Sequence, residues 1–151
     1  MEALELEGIP VVDIMHAEFT SVHPDAPIGG IFQSFARRGC KDIIVCDETG
    51  KFQGIVTELD LLSAIAPGVG VRSRRKMGCL ECIIKSGAKS AGEVMSREHI
   101  TVPRDASVAQ AMIAMEKFRH PDVIVVDDEG LAVGIVEMCD VIAFLIRHDA
   151  L

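Results

Sequence analysis

The sequence predicts an α+β fold made of two pseudosymmetric repeats, each running strand, helix, strand, strand, helix. Three observations carry that prediction. Residues 11–65 align with 91–145 at a constant offset of 80 without a gap, and about fourteen of the fifty-five positions are identical, which marks a duplicated unit. Each copy alternates a helical apolar period with short β-branched runs. The turn segments DETGK and DDEG stand at matching places between two such runs, as hairpin connections do.

Each copy opens on a short strand-like piece, Phe19 to Val22 or His99 to Val102. A helix start follows at Asp25-Ala-Pro or Asp105-Ala-Ser, where Asp25 and Asp105 suit an N-cap and Pro27 a first turn. Apolar residues at Ile28, Ile31, Phe32 and Phe35, and at Val108, Ala111, Met112 and Met115, have the i, i+3, i+4, i+7 spacing of one buried helix face. The first helix ends near Arg38-Gly39; the second ends around Arg119, because Pro121 forbids continuation. IIVCD and VIVVD read as buried strands, and FQGIV and AVGIV close the hairpins. The last helix of each copy starts around Asp60 or Asp140, with Leu61, Leu62 and Ile65, or Val141, Ile142 and Leu145, on its inner face. The predicted boundaries are a lead-in at 1–10, repeat one at 11–65, a connector at 66–89 and repeat two at 90–146.

Composition narrows the function classes. The 151 residues are 49% hydrophobic with a formal net charge of −8 and neither Trp nor Tyr. That is enough chain for a sizeable core, and a poor surface for nucleic acid, which wants positive charge and stacking rings. No apolar run reaches the roughly 20 residues of a membrane span, and the acidic start MEALELEG is unlike a secretory leader. The expectation is a soluble cytoplasmic chain whose five cysteines are reduced, with Cys46 and Cys139 as packing residues.

The gap-free pair of copies, the V-x-x-x-A-P/S helix starts, the hairpins and the closing segments GIVTELD (Gly54 to Asp60) and GIVEMCD (Gly134 to Asp140) resemble a tandem CBS-domain module. The resemblance covers nearly the whole chain outside the lead-in, the connector and the last few residues. It implies a disc-like packing of the two repeats, a regulatory sensor that binds adenosine-type ligands in clefts between them, and a homodimer acting on a regulated protein. It also implies site residues. Gly54, Ile55, Val56, Thr57 and Asp60 match the family's strand-to-helix turn, where the aspartate takes ribose hydroxyls and the threonine and helix N-terminus face a phosphate. Gly134, Ile135, Val136 and Asp140 match it in the second copy. Thr20 and Ser21, and Ile100, Thr101 and Val102, match the segments that enclose the adenine.

The copies differ where it bears on the ligand. Glu137 replaces Thr57 and puts a carboxylate where phosphate would sit, while Asp42 and Asp122 stand where family members often carry a basic residue. Acidic groups repel phosphate and attract a sulfonium, so S-adenosylmethionine or methylthioadenosine competes with AMP, ADP or ATP as the regulatory ligand. The plainer reading of Thr57 and Asp60 is helix capping, worth about 1 kcal/mol, and of Asp42 and Asp122 a solvated strand edge.

In the connector, Arg72 to Lys76 (RSRRK) is a basic cluster that could meet a phosphate, an acidic partner or only water. PGVGV lacks the GK[ST] of a phosphate loop. Cys79 and Cys82 have metal-ligand spacing, but a structural zinc needs about four ligands, so the expectation is no metal and no required cofactor. The histidines look scattered, and no nucleophile elbow, Walker loop or paired-histidine motif points to an enzyme. The alternative to a sensor is an oligomerisation or protein-interaction scaffold with degenerate sites. A third reading makes the basic cluster and CxxC a metal-dependent nucleic-acid or redox switch.

Overall fold

The computed structural model describes residues 5–38, 42–65 and 87–150, which form two compact units. One unit spans Thr20–Glu98. It contains β1 (Ser21–Val22), α1 (Ile28–Phe35), β2 (Ile43–Cys46), β3 (Phe52–Val56), α2 (Glu58–Ile65) and the short α3 (Ala91–Val94). The other joins Met1–Phe19 to His99–Leu151. Its elements are two 3-10 turns (Leu6–Gly8 and Val11–Asp13), β4 (Thr101–Pro103), α4 (Val108–Phe118), β5 (Asp122–Val126), β6 (Ala132–Glu137) and α5 (Met138–Arg147). The predicted α+β class and order are present in both.

Each unit carries one three-stranded sheet, ordered β1-β2-β3 or β4-β5-β6. The first two strands run parallel, and the last two form an antiparallel hairpin. The hairpin turns close as the sequence suggests. Asp47 Oδ1 accepts the N–H groups of Thr49 at 2.9 Å and Lys51 at 3.0 Å, and Asp127 Oδ1 accepts those of Glu129 and Leu131, both at 2.9 Å. Gly50 (φ 89°) and Gly130 (φ 83°) take the left-handed positions that only glycine adopts without strain.

The predicted helix faces are the buried ones, with Ile31, Val108, Ala111 and Met115 inside and Ile28, Phe32, Phe35 and Met112 packed against them. Three local expectations are corrected. The helix caps lie two residues beyond Asp25 and Asp105: Pro27 precedes α1 without a side-chain cap, and Ser107 caps α4 through a reciprocal bond with Gln110. Ser107 Oγ accepts the Gln110 N–H at 3.2 Å and Gln110 Oε1 accepts the Ser107 N–H at 2.9 Å, a capping box that Asp105 cannot make from its place in the preceding turn. Leu62 and Ile142 are 54% and 42% exposed rather than inward: the buried stripe passes through Leu61, Val141 and Phe144, and the next residue in each helix stands about 100° further round. Cys139 is exposed, not packed.

The core of each unit draws on a segment remote in sequence. Ala91, Val94 and Met95 join Ile31, Ile43, Val45, Val56 and Leu61. At the matching repeat positions, Val11 and Ile14 join Val123, Val125, Val136 and Val141. The residues that open each sequence repeat therefore complete the core beneath the other repeat's sheet. Burying each of the Val, Ile and Met side chains among them is worth about 1.5–3 kcal/mol, which ties the segment to its sheet.

Candidate ligand site

Strand direction brings the sequence-predicted residues of each unit to one end of its sheet. Because β1 runs with β2 and β3 runs against it, the start of β1 and the end of β3 coincide. Ile44 N–H donates to Thr20 O at 3.0 Å, while the neighbouring Ile43 pairs with Val56, one residue before Thr57. Thr20 and Ser21 are exposed there. In the other unit Ile124 N–H donates to Ile100 O at 3.0 Å, Thr101 is exposed, and Asp122 pairs with Glu137. Val102, Ile55, Val56, Ile135 and Val136 are buried in the cores, so their side chains pack and only their backbone can serve a ligand.

At the start of α2 the Asp60 carboxylate is heavily used. Its Oδ2 accepts the Thr57 N–H at 2.9 Å and the Thr57 hydroxyl at 3.0 Å, and its Oδ1 accepts the Ser96 hydroxyl at 2.8 Å. Asp60 is only 6% exposed, and a carboxylate so buried must be satisfied internally. The capping role of Thr57 and Asp60 is therefore present in the geometry. In the other unit Asp140 Oδ2 accepts the Glu137 N–H at 2.8 Å and its Oδ1 pairs with His16 Nε2. His16 and Ser96 occupy matching repeat positions, so the segment that completes each core also delivers a partner to each aspartate.

The glycines of the motif have a packing reason that sequence reading missed. Ile55 and Ser96 exchange backbone hydrogen bonds of 3.0 and 2.8 Å, as Ile135 and His16 do at the same two lengths. A Cβ on Gly54 would lie 2.7 Å from Ser96 O and 2.9 Å from Met95 Sδ; on Gly134 it would lie 2.6 Å from Met15 Sδ and 2.9 Å from His16 O. The glycines let the crossing segment reach the strand, and the recurrence of Met15 as Met95 was the sequence trace of that contact.

The acidic residues ahead of the central strands also read differently in three dimensions. Asp42 is half-buried, and Asp122, at 7% exposed, is no solvated strand edge. His99 Nε2 lies 2.9 Å from Asp122 Oδ1, and His120 Nδ1 stands 3.6 Å from the same oxygen. The His99 and His120 rings meet edge to face with centroids 4.4 Å apart. Sequence reading called these histidines scattered; the trace available was His120-Pro-Asp122 at the head of a strand whose parallel neighbour begins just after His99. Cys40, Arg72 to Lys76, Cys79 and Cys82 lie outside the described residues.

Two α+β units of the same plan, each ending its hairpin on a Gly-φ-φ segment and an aspartate-capped helix, define a tandem-repeat module. The CBS domain family profile matches residues 10–67 and 91–147, and the chain belongs to that family. Among curated relatives, arabinose 5-phosphate isomerase KdsD of Yersinia pestis is 28% identical over 134 residues, covering 87% of this chain and 36% of the relative; the chain thus spans about a third of that protein. Among solved structures, CBSX2 in complex with AMP superposes with a TM-score of 0.81 at 20% identity, over 94% of this chain and 99% of that one. The CBS domain pair of protein MJ0100, in complex with 5′-methylthioadenosine and S-adenosyl-L-methionine, has a TM-score of 0.68 at 26% identity, over 90% and 98%. Among the described residues no helix is long and apolar enough to cross a membrane.

Proposed function

We propose that this chain is a regulatory, non-catalytic module of the cytoplasm that binds an adenosine-type ligand and passes its occupancy to a partner protein. The observation that carries the reading is the likeness to the MJ0100 domain pair, which at 26% identity holds methylthioadenosine and S-adenosylmethionine. The sheet ends supply matching chemistry. Thr20 and Ser21, or Ile100 and Thr101, offer backbone and hydroxyl groups to a base, and Asp60 and Asp140 offer carboxylates to ribose hydroxyls. Since Ser96 and His16 already bind one oxygen of each carboxylate, a ribose would share the aspartate with them. Glu137 disfavours phosphate in the second unit, which leaves Thr57 at the more phosphate-tolerant site. Coupling to a partner requires that the ligand favour one of two states of the module.

The test is calorimetric titration with methylthioadenosine, S-adenosylmethionine, AMP and ATP, with thermal melts alongside. Ligand at about 100 times its dissociation constant adds about 2.7 kcal/mol to stability. Ser21→Glu and Thr101→Glu, both at exposed positions, place bulk and charge at the two sites without disturbing a core. The reading expects binding of at least one adenosyl compound and its loss in one of these variants; absence of binding by all four would replace it with the scaffold.

A second copy of the chain is the partner that the exposed helix faces favour. Leu62 and Ile142 share a repeat position and are both exposed, and Leu59, three residues before Leu62 in α2, is 74% exposed. Leu59 and Leu62 border an apolar groove of about 490 Å³ with Phe32 and Phe35. Sedimentation of Leu59→Lys/Leu62→Lys should yield monomer where the parent sediments as dimer.

A further inference from the structure

We infer that His99, His120 and Asp122 form a binding site for a divalent transition-metal ion. Candidate ligand atoms of the three residues all lie within 4.8 Å of one another, with Asp122 Oδ1 2.9 Å from His99 Nε2 and 3.6 Å from His120 Nδ1. In a tetrahedral site with bonds of about 2.0–2.1 Å, neighbouring ligand atoms stand roughly 3.3 Å apart, and the two distances to Asp122 Oδ1 lie on either side of that spacing.

Hydrogen bonding alone does not account for the cluster. His120 Nδ1 is buried and has no hydrogen-bond partner among the described residues, and leaving such an atom unsatisfied is costly. The His99 side chain is only 1% exposed, and Asp122 is buried beside it. An ion held by all three would displace the proton that His99 Nε2 shares with Asp122 Oδ1, which passes to His99 Nδ1 or to solvent, and would give His120 Nδ1 a partner.

The backbone holds the three residues in place without an ion. Arg119 takes a left-handed conformation at the end of α4 (φ 54°), His120 N–H donates to Met115 O at 3.0 Å, and Pro121 O accepts the Met138 N–H at 2.8 Å. Asp122 then begins β5, and the β4–β5 ladder fixes His99 beside it. Such preorganisation lowers the cost of binding. Two histidines and one carboxylate suit zinc, cobalt, nickel or ferrous iron and not magnesium or calcium, which prefer oxygen ligands. The His120 side chain is 33% exposed, leaving an approach for the ion and for water as a further ligand.

The experiment uses the tag-free full chain carrying Cys79→Ser/Cys82→Ser, which removes the two thiols at metal-ligand spacing, and the NMR readout identifies the histidines that bind. Cobalt(II) is added after removal of adventitious metal, and visible d–d absorption, calorimetry and histidine proton NMR are recorded. The expected result is one ion per chain, paramagnetic shifts on the His99 and His120 ring protons but not on those of His23, and at least about tenfold weaker binding in His120→Ala. No binding, binding that His120→Ala leaves unchanged, or shifts confined to other histidines would overturn the assignment. The NMR result decides the matter even if the alanine variant does not fold. The readout involves no adenosyl ligand and stands whatever becomes of the sensor reading.

Discussion

His16 Nε2 pairs with Asp140 Oδ1 at the repeat position where Ser96 Oγ donates to Asp60 Oδ1 at 2.8 Å. One carboxylate is bound by a neutral hydroxyl in a nearly dry setting. The other meets an imidazole that is 54% exposed. Ser96→Ala should cost about 1.5–3 kcal/mol, the range for a hydrogen bond to a charged group. His16→Ala should cost less, about 1 kcal/mol, because the imidazole half of that pair is open to solvent although the Asp140 side chain is 11% exposed. Urea unfolding of the two variants checks the order; an equal or reversed loss would show that burial does not separate the two pairs.

Gly54→Ala should destabilise by about 1–3 kcal/mol, because the new methyl would meet the backbone oxygen of Ser96 at 2.7 Å and that oxygen is held by Ile55. Gly30→Ala, in α1 with nothing within 4 Å of the added carbon, should stabilise by about 0.5–1 kcal/mol through helix propensity. Opposite shifts in melting temperature are the expected readout.

Ser107→Ala should cost about 1 kcal/mol by breaking the capping box of α4, while Asp105→Ala, at an exposed turn position, should be near neutral. Chemical denaturation distinguishes this from the assignment that propensity alone suggests, in which Asp105 would be the costly site.

The acid limb of stability should depend on Asp47. The Thr49 hydroxyl, 2.6 Å away, is the largest cause holding its carboxyl below the ordinary range, with the Lys51 and Thr49 backbone N–H groups helping and desolvation opposing. A depressed folded value means that the unfolded chain binds more protons just below the unfolded carboxylate value of about 3.9. The contribution is therefore present above that value and is lost as pH falls through the folded one. Asp47→Asn should flatten the decline in urea midpoint between about pH 5 and pH 3, and an unchanged slope would rule the residue out as its source.

Much of the fold was legible because it is locally encoded. The apolar spacing of Ile28, Ile31, Phe32 and Phe35, the β-branched IIV and VIV runs and the Asp-x-x-Gly turns each write their conformation into a few neighbouring residues. The Gly-φ-φ segments and their aspartates could be located in the same way, but not their surroundings. Nothing near Gly54 announces Ser96, and nothing near Gly134 announces His16.

By itself, then, the sequence determined the duplication, the order of strands and helices in each copy, and which residues face inward along most of them, since periodicity and turn chemistry act over a few residues. Tertiary structure decided which segment completes each core, that the motif glycines serve a backbone crossing, that Asp60 and Asp140 are already partnered, and that His99 and His120 meet at Asp122. These depend on contacts between residues far apart in the chain, whose closeness is set by strand direction and by the burial of Val11, Ile14, Ala91 and Val94, and no local pattern records them.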